Sequence, residues 1–201
     1  MNLKNNTLII GASSNLAKNF IPNLKKNYQG TYFKNKIKNG IYFDITKDNI
    51  QEKVNLSKIS EVIILSALTK PDYCFKNKNY SNLVNVTKTK ELINQFLLKN
   101  IKIIFFSTEF IFDGIKGNYN EQSIPNPTNI YGQQKLNIEN YIKNETENYC
   151  ILRIGKTYTS NRKDNSLFSS LYDAIFNKNI KEINCFKDPY FSPLFVSDLS
   201  I

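Results

Sequence analysis

A tyrosine and a lysine four positions apart carry the clearest chemical signal in this chain. Tyr131 and Lys135 stand in the run YGQQK, and on a helix that spacing places both side chains on one face, about one turn apart. An apolar run upstream ends in Ser107 and Thr108, which supply hydroxyl groups. A phenol, an ammonium and a hydroxyl at one place can deliver a proton to a substrate oxygen. We expect the Lys135 ammonium to lower the pKa of Tyr131 from its usual value of about 10.

The N-terminal residues have the pattern of a strand, a tight turn and a helix. The apolar run Leu8–Ile10 leads into Gly11, and the small residues that follow open a predicted helix. A dinucleotide pyrophosphate binds at such a helix N-terminus, where backbone N–H groups are free. Ser14 and Ala17 stand where the second and third glycines of a dinucleotide fingerprint would be. The Ser14 hydroxyl either binds a phosphate or caps the helix, and the sequence leaves both readings open.

Apolar runs alternate with amphipathic stretches along the chain, which predicts an α/β fold. The near-continuous apolar strands indicate a Rossmann-like, doubly wound parallel sheet with both faces covered. Strands are predicted at Thr7–Ile10, Gly30–Phe33, Gly40–Phe43, Val62–Leu65, Ile101–Phe106 and Tyr149–Arg153. Helices are predicted at Asn15–Asn27, Tyr80–Asn100, Pro127–Thr146 and Ser166–Asn177. We expect a nucleotide-binding domain over residues 1–155 and, over 156–201, the start of a small, truncated substrate-binding part.

Ligands of open parallel sheets bind outside the carboxyl ends of the strands. The small residues Ser66 and Ala67 after the fourth strand would let a cofactor lie against the backbone. After the second strand, Lys34 or Lys36 either selects NADP by binding its 2′-phosphate, or both are solvated loop lysines. Asp44, after the third strand, either binds an adenine amino group or caps the turn that follows.

Composition excludes several classes of chemistry. The 201 residues contain no histidine, and the three cysteines, Cys74, Cys150 and Cys185, are far apart, so we expect no His-dependent triad, disulfide framework or metal site. The net charge of +10 comes from lysines scattered along the chain, which does not indicate a nucleic-acid partner. No apolar run approaches the roughly 20 residues of a membrane span. A signal-peptide pattern is also missing, so we expect a cytoplasmic protein.

The motifs in this order resemble the extended short-chain dehydrogenases/reductases, and within them the dTDP-4-dehydrorhamnose reductase-like group. The matching stretches are GASSNLA from Gly11, SALTKPDYC from Ser66, STEFIFDG from Ser107, PTNIYGQQKL from Pro127, ILR up to Arg153, and SPLFVSDL from Ser192. They cover nearly the whole chain. The resemblance implies reduction of a 4-keto sugar on a nucleoside diphosphate, with NADP (or NAD) as cofactor, for surface polysaccharide precursors.

The resemblance also implies roles for individual residues. Tyr131 would donate a proton to the ketone oxygen, Lys135 would bind the nicotinamide ribose and Thr108 would orient the carbonyl, and such general acid catalysis is worth roughly 10²–10⁴-fold. We assign to cofactor binding Gly11, Ser14, Asn15, Leu16, Lys34, Asp44, Ile45, Ser66, Ala67, Leu68, Asn85 and Ser107. Asn85 is either a buried bridge between strands or one of the chain's many neutral asparagines. We assign to substrate binding Thr69, Glu109, Phe110, Arg153 and Lys156.

Three positions depart from the family pattern. Glu109 replaces an aspartate, Phe110 a tyrosine, and Lys156 a tryptophan. These changes at sugar-facing positions argue against a dTDP-rhamnose product. An epimerase or 4,6-dehydratase of the same superfamily is an alternative, although a dehydratase needs an Asp-Glu pair after the threonine. A non-catalytic subunit that binds NADP or a sugar nucleotide is another. The oligomeric state stays open, with a homodimer as one option.

Overall fold

Parallel strands form the centre of the molecule. The computed structural model describes residues 6–161, 166–177, 180, 182–183 and 191–199. Its main sheet consists of β1 (Asn6–Ile10), β2 (Asn27–Tyr32), β3 (Ile41–Tyr42), β4 (Ile59–Ile64), β5 (Lys102–Thr108) and β6 (Tyr149–Ile154). The strands lie in the order β3-β2-β1-β4-β5-β6, and every neighbouring pair is parallel. The chain therefore switches direction across the sheet between β1 and β4, where Rossmann folds bind ligands.

Helices connect these strands. They are α1 (Asn15–Phe20), α2 (Ile50–Lys53), α3 (Pro71–Lys76), α4 (Lys78–Asn82), α5 (Thr89–Leu97), α6 (Ile130–Glu145) and α7 (Leu167–Tyr172). A π-helical turn, Leu83–Lys88, joins α4 to α5. A 3₁₀ turn, Glu109–Ile111, follows β5 directly. No helix within the described ranges is long and apolar enough to cross a membrane.

Alternate strand residues pack on opposite faces of the sheet. On one face, residues such as Leu8, Val62 and Ile103 pack with α5 and α6. On the other face, residues such as Ile9 and Ile63 pack with α1. Both faces are thus covered, and the predicted doubly wound α/β class is confirmed.

The structure shortens one of the predicted helices and interrupts another. The helix expected at Asn15–Asn27 ends at Phe20, and a 3₁₀ turn with Pro22 in its first turn follows, before β2 begins at Asn27. Proline lacks an N–H and disfavours continued α-helix, which explains this early end. The helix expected at Tyr80–Asn100 contains the π turn instead of running through.

Residues beyond β6 form a smaller unit around two short strands. β7 (Thr157–Tyr158) pairs in parallel with β8 (Leu194–Phe195), and the Tyr158 ring lies 5.1 Å from that of Phe168 and 5.3 Å from that of Phe195. The predicted helix at Ser166–Asn177 is α7 followed by a π turn, Asp173–Asn177. Cys185 lies outside the described residues, as do the last two residues of the predicted C-terminal part.

Candidate active site

Gly11 brings the first loop against the loop after β4. Its φ of +89° lies in the left-handed region that favours glycine. A Cβ on Gly11 would lie 3.0 Å from the Ser66 backbone nitrogen. The Gly11 N–H donates to Thr31 Oγ1 at 3.0 Å, so β2 also holds this turn. A close backbone approach of this kind is what the first fingerprint glycine provides.

The structure shows the capping role that was one of the two alternatives for Ser14. Its hydroxyl accepts a hydrogen bond from the Ala17 N–H at 3.2 Å, so Ser14 is the N-cap of α1. The buried Ala17 permits the tight packing of α1 on the sheet. Of the other expected cofactor residues here, Asn15 is the first residue of α1, and Leu16 packs partly buried against the core.

The loop after β4 is held by a side-chain amide. Asn85 accepts from the Leu68 N–H at 2.8 Å and donates to the Leu68 carbonyl at 2.9 Å. Asn85 is therefore a buried bridge, although it joins the π turn to this loop and not one strand to another. Ser66, Ala67 and Leu68 are half-buried, whereas Thr69 is exposed.

The expected adenine and 2′-phosphate contacts lie at the carboxyl ends of β2 and β3. Lys34 is exposed in the loop after β2, and Lys36 is too. Asp44 accepts from the Thr46 N–H at 2.9 Å and from its hydroxyl at 2.7 Å, so it caps the turn as one reading proposed. Ile45 packs partly buried against the core.

The carboxyl end of β5 supplies the two hydroxyls. Ser107 is only 3% exposed, and its Oγ has no hydrogen-bond partner within the part of the chain that is described. A buried polar atom without a partner is costly, so it marks a place where a ligand atom fits. Thr108 Oγ1 accepts from the Phe110 N–H at 3.2 Å and starts the 3₁₀ turn.

Helix α6 brings Tyr131 and Lys135 to this strand end. Asn129 caps the helix by accepting from the Gly132 N–H at 2.9 Å. Tyr131 is 7% exposed and Lys135 is 5% exposed. The Lys135 ammonium donates to the Phe106 carbonyl at 2.7 Å and lies 6.0 Å from the centre of the Tyr131 ring. The helix thus places the phenol, the amine and the end of β5 together.

The expected effect of Lys135 on the acidity of Tyr131 is wrong for this structure. Burial raises the pKa of Tyr131 well above its ordinary range, and the nearby Cys74 raises it further. Burial also lowers the pKa of Lys135 to about 7, against a smaller raising effect of Glu139. Removal from water penalises the charged form of both groups, so it raises the pKa of the phenol and lowers the pKa of the amine. Tyr131 therefore keeps its proton at neutral pH.

Gly132 lets α6 pack directly on the 3₁₀ turn. A Cβ on Gly132 would lie 2.0 Å from the Phe110 carbonyl oxygen, a distance that no substitution could keep. The Phe110 ring meets the Tyr131 ring edge-on, with centroids 6.2 Å apart. The sequence contains a signal for this contact. A glycine inside a helix lowers helix stability, so its presence indicates that another element packs closely at that position.

Glu109 and Lys156 border the same turn. A Cβ on Gly155 would lie 2.6 Å from Glu109 Oε2, which places this carboxylate against the chain after β6. Burial raises the pKa of Glu109, and the charge of Lys156 lowers it by less. The Lys156 ammonium lies 5.7 Å from the centre of the Phe110 ring. Three of the expected substrate residues, Glu109, Phe110 and Lys156, thus share one place.

Arg153 is directed elsewhere. Its guanidinium forms an ion pair with Glu139 of α6 at 2.7 Å and donates to the Glu121 carbonyl at 3.3 Å. Glu139 is fully buried, so this pair ties α6 to β6. Sequence reasoning missed Glu139, because the i to i+4 pattern of α6 does not show which strand residue it meets. The hydrogen bonds of Arg153 point to a structural role rather than to the expected substrate contact.

The arrangement fits a dinucleotide. The glycine turn, the small loop held at Leu68 and the buried Ser107 hydroxyl lie at the carboxyl ends of β1, β4 and β5, on both sides of the switch point. A buried phenol and amine stand beside them on α6. These groups can hold a cofactor against a site that transfers a proton.

Several known proteins are similar to this chain in sequence. The family model of the RmlD substrate binding domain matches residues 5–201. Methionine adenosyltransferase 2 subunit beta of Xenopus tropicalis is 29% identical over 115 residues, which are 57% of this chain and 34% of that protein. The probable low-salt glycan biosynthesis reductase Agl14 of Haloferax volcanii is 31% identical over 117 residues, which are 57% of this chain and 39% of that protein. The match thus spans little more than a third of either relative.

Solved structures share the fold. The dTDP-4-dehydrorhamnose reductase of Bacillus anthracis in complex with NADP has a TM-score of 0.73 and 24% identity, and the match covers 90% of this chain and 62% of that chain. Other structures of this fold, 16–19% identical, hold NAD, and two of these also hold UDP-glucuronic acid or UDP-glucose. At these identities the likeness establishes the fold.

Proposed function

Because the chain belongs to the RmlD substrate binding domain family, we propose that it reduces a 4-keto sugar on a nucleoside diphosphate, with NADPH or NADH as reductant. The product would serve the synthesis of surface polysaccharide precursors. The relative whose name describes it as a glycan biosynthesis reductase supports this assignment. The cofactor supplies a hydride to the carbonyl carbon, and this chain's residues bind, orient and protonate.

One observation carries the proposal: a buried phenol and a buried amine meet at the end of β5. Tyr131 and Lys135 share a face of α6, and the Lys135 amine bonds to the Phe106 carbonyl, one residue before the Ser107 and Thr108 hydroxyls. Reduction of a ketone needs a proton at the carbonyl oxygen as hydride reaches the carbon. Tyr131 is protonated at neutral pH and is the group that donates it. Burial excludes the water that would otherwise compete as a donor.

The other residues divide between cofactor and substrate. Gly11 and the loop from Ser66 to Leu68 would lie along the dinucleotide, with the Ser107 hydroxyl bonded to it. Thr108 would hold the ketone oxygen. Glu109, Phe110 and Lys156 would contact the sugar at the mouth of the site. An ammonium at Lys156 in place of an aromatic ring favours a sugar nucleotide other than the dTDP-rhamnose precursor.

The first experiment separates binding from turnover. The purified chain is titrated with NADPH and with NADH, and binding is followed by energy transfer from its tyrosines, since the chain has no tryptophan. Micromolar binding is expected, followed by cofactor oxidation with a 4-keto sugar nucleotide. Absence of binding at millimolar concentrations would overturn the proposal.

Tyr131→Phe tests the proton donor. This variant removes one hydroxyl and keeps the ring contact with Phe110. We expect unchanged cofactor affinity and turnover reduced by about 100-fold or more, the size of a lost general acid. Tyr141→Phe is the matched control, because it removes one hydroxyl from the same helix at a residue whose partner is Asn94 rather than a group of the proposed site. Unchanged turnover in Tyr131→Phe would remove this residue from the mechanism.

A non-catalytic role is the second candidate. It is favoured by the similarity to a protein whose name describes it as a subunit of another enzyme. The raised pKa of Tyr131 also makes the phenol a weak acid in the chain alone. A chain of this kind would bind the cofactor in the same titration and oxidise none of it with any 4-keto sugar nucleotide.

A further inference from the structure

A buried glutamine links the helix of Tyr131 to the loop after β4. Gln134 directly precedes Lys135 on α6 and is 4% exposed. Its side-chain oxygen accepts from Asn85 Nδ2 at 2.8 Å, and its side-chain nitrogen donates to Ser81 Oγ at 2.9 Å. Both ends of the amide are therefore bonded to side chains of another part of the fold.

Asn85 carries this link to the loop backbone. Its amide bonds to both the N–H and the carbonyl of Leu68, as another peptide group would. The Cys74 thiol donates to the same Leu68 carbonyl at 3.2 Å. At the other end, the fully buried Ser81 hydroxyl donates to the Cys74 carbonyl at 3.1 Å. We call Ser81, Gln134 and Asn85 the amide strut.

The π turn is part of this arrangement. Asn85 lies inside Leu83–Lys88, and the Thr89 hydroxyl donates to the Val84 carbonyl at 2.9 Å, which satisfies a carbonyl of the widened turn. π turns inside helices are frequent at functional sites. Here the turn presents an asparagine to the loop on one side and to α6 on the other.

We propose that Gln134 is a positioning residue that, through Asn85, fixes Leu68 and the Ser66–Thr69 loop relative to α6. That loop touches the Gly11 turn, so the amide strut sets the spacing between the proposed cofactor loop and the proposed proton donor. Buried polar networks hold one geometry because an unsatisfied member is costly in a low-dielectric interior. The part of this inference that concerns cofactor affinity rests on the proposed function; the part that concerns the loop does not.

Gln134→Met tests the loop without any ligand. Methionine keeps the length of the side chain and removes both hydrogen bonds. The readout is hydrogen exchange of the Leu68 amide, whose acceptor is Asn85. We expect exchange in Gln134→Met to be about tenfold faster, as for one buried bond that loses its support. Gln133→Met is the matched control, because Gln133 is the same residue type, adjacent and exposed, and its exchange pattern should match the wild type.

Cofactor affinity and kinetics then test the positioning role. The dissociation constant for NADPH should rise about tenfold in Gln134→Met and stay unchanged in Gln133→Met. The KM for the sugar nucleotide should change less than twofold, because the amide strut does not reach the Glu109 side of the site. A residue with only a general structural role would not produce this split.

The outcomes separate the two proposals. Unchanged exchange at Leu68 in Gln134→Met, or equally faster exchange at every amide, overturns the positioning role. A wild-type chain that binds neither NADPH nor NADH overturns the proposed function, and the exchange result still decides the amide strut. If Gln134→Met does not fold, Ser81→Ala is the second variant. It removes the hydrogen bond from Gln134 and those from the Ser81 hydroxyl to the Cys74 and Lys78 carbonyls, and it leaves the bond between Gln134 and Asn85 in place. Faster exchange at Leu68 is still expected, and its absence there overturns the role.

Discussion

Gly132→Ala should separate α6 from the turn that follows β5. Residue 132 lies next to Tyr131, and its missing side chain allows the Phe110 carbonyl to sit against the helix. The obstacle to a methyl group is backbone, which cannot rotate away as a flexible side chain can. We therefore expect a displaced helix rather than a local adjustment.

The size of the effect follows from the contact. A Cβ would lie 2.0 Å from the Phe110 oxygen, whereas ordinary contacts begin at 3.4 Å, so the two backbones must move apart by about 1.4 Å. Overpacking costs about 1–3 kcal/mol, and alanine regains about 1 kcal/mol of helix propensity. A clash with backbone belongs at the upper end, which leaves a net loss of about 2 kcal/mol. A misplacement of about 1 Å at a reacting group costs roughly 100-fold in rate.

Thermal unfolding measures the loss of stability, and turnover measures the misplacement of the reacting group. For a chain of this size, a loss of about 2 kcal/mol lowers Tm by about 4–8 °C. Turnover with a 4-keto sugar nucleotide should fall by about 100-fold. Gln133→Ala is the control, since it adds alanine to the same helix at an exposed position and should leave both values near the wild type. A Gly132→Ala variant with wild-type Tm and turnover would show that the contact with Phe110 does not constrain α6.

Two further predictions concern charged groups. Because burial lowers the pKa of Lys135 from 10.5 to about 7, the unfolded chain binds more protons between these values, so the free energy of unfolding should rise with pH from about 7 to 9. Lys135→Met should flatten this rise in urea titrations, and an unaltered slope would contradict the buried, near-neutral amine. NADPH should bind at least about tenfold more tightly than NADH, and Lys34→Glu should remove the preference; a tenfold preference for NADH would reject the role of Lys34 and Lys36.

The central strands could be predicted because each contains a continuous apolar run, whereas β2 (NYQGTY) contains none and begins before the predicted start at Gly30. The run at Ile101–Phe106 predicted β5, which is found at Lys102–Thr108. The long helix at Tyr80–Asn100 could not be predicted correctly, since the π turn within it depends on contacts of Asn85 with residues 17 and 49 positions away. The periodicity of apolar residues reports which residues share a face of one element, and it gives no information on partners from distant parts of the chain.

In the candidate site, too, features set by local spacing could be predicted, and features set by distant contacts could not. The spacing of Tyr131 and Lys135 correctly placed them on one helix face, because helix geometry alone determines this. It could not show that the amine would bond to the Phe106 carbonyl, 29 residues earlier in the chain. The prediction of a lowered pKa for Tyr131 was wrong for the same reason, since burial depends on how other elements pack around the helix. Arg153 likewise needed its partner Glu139 before its role could be read.

The strand order also determines when in folding a nucleotide could first be bound. The loop at Gly11 meets that at Ser66 only after β1 pairs with β4, and α6 reaches the end of β5 only after a second crossover. Such non-local parallel pairings close long loops and form slowly. A chain in which β4 or β5 is still unpaired would therefore lack this binding surface. A dinucleotide added during refolding should leave the folding rate unchanged and raise the final folded fraction, because it binds only molecules that have completed the sheet.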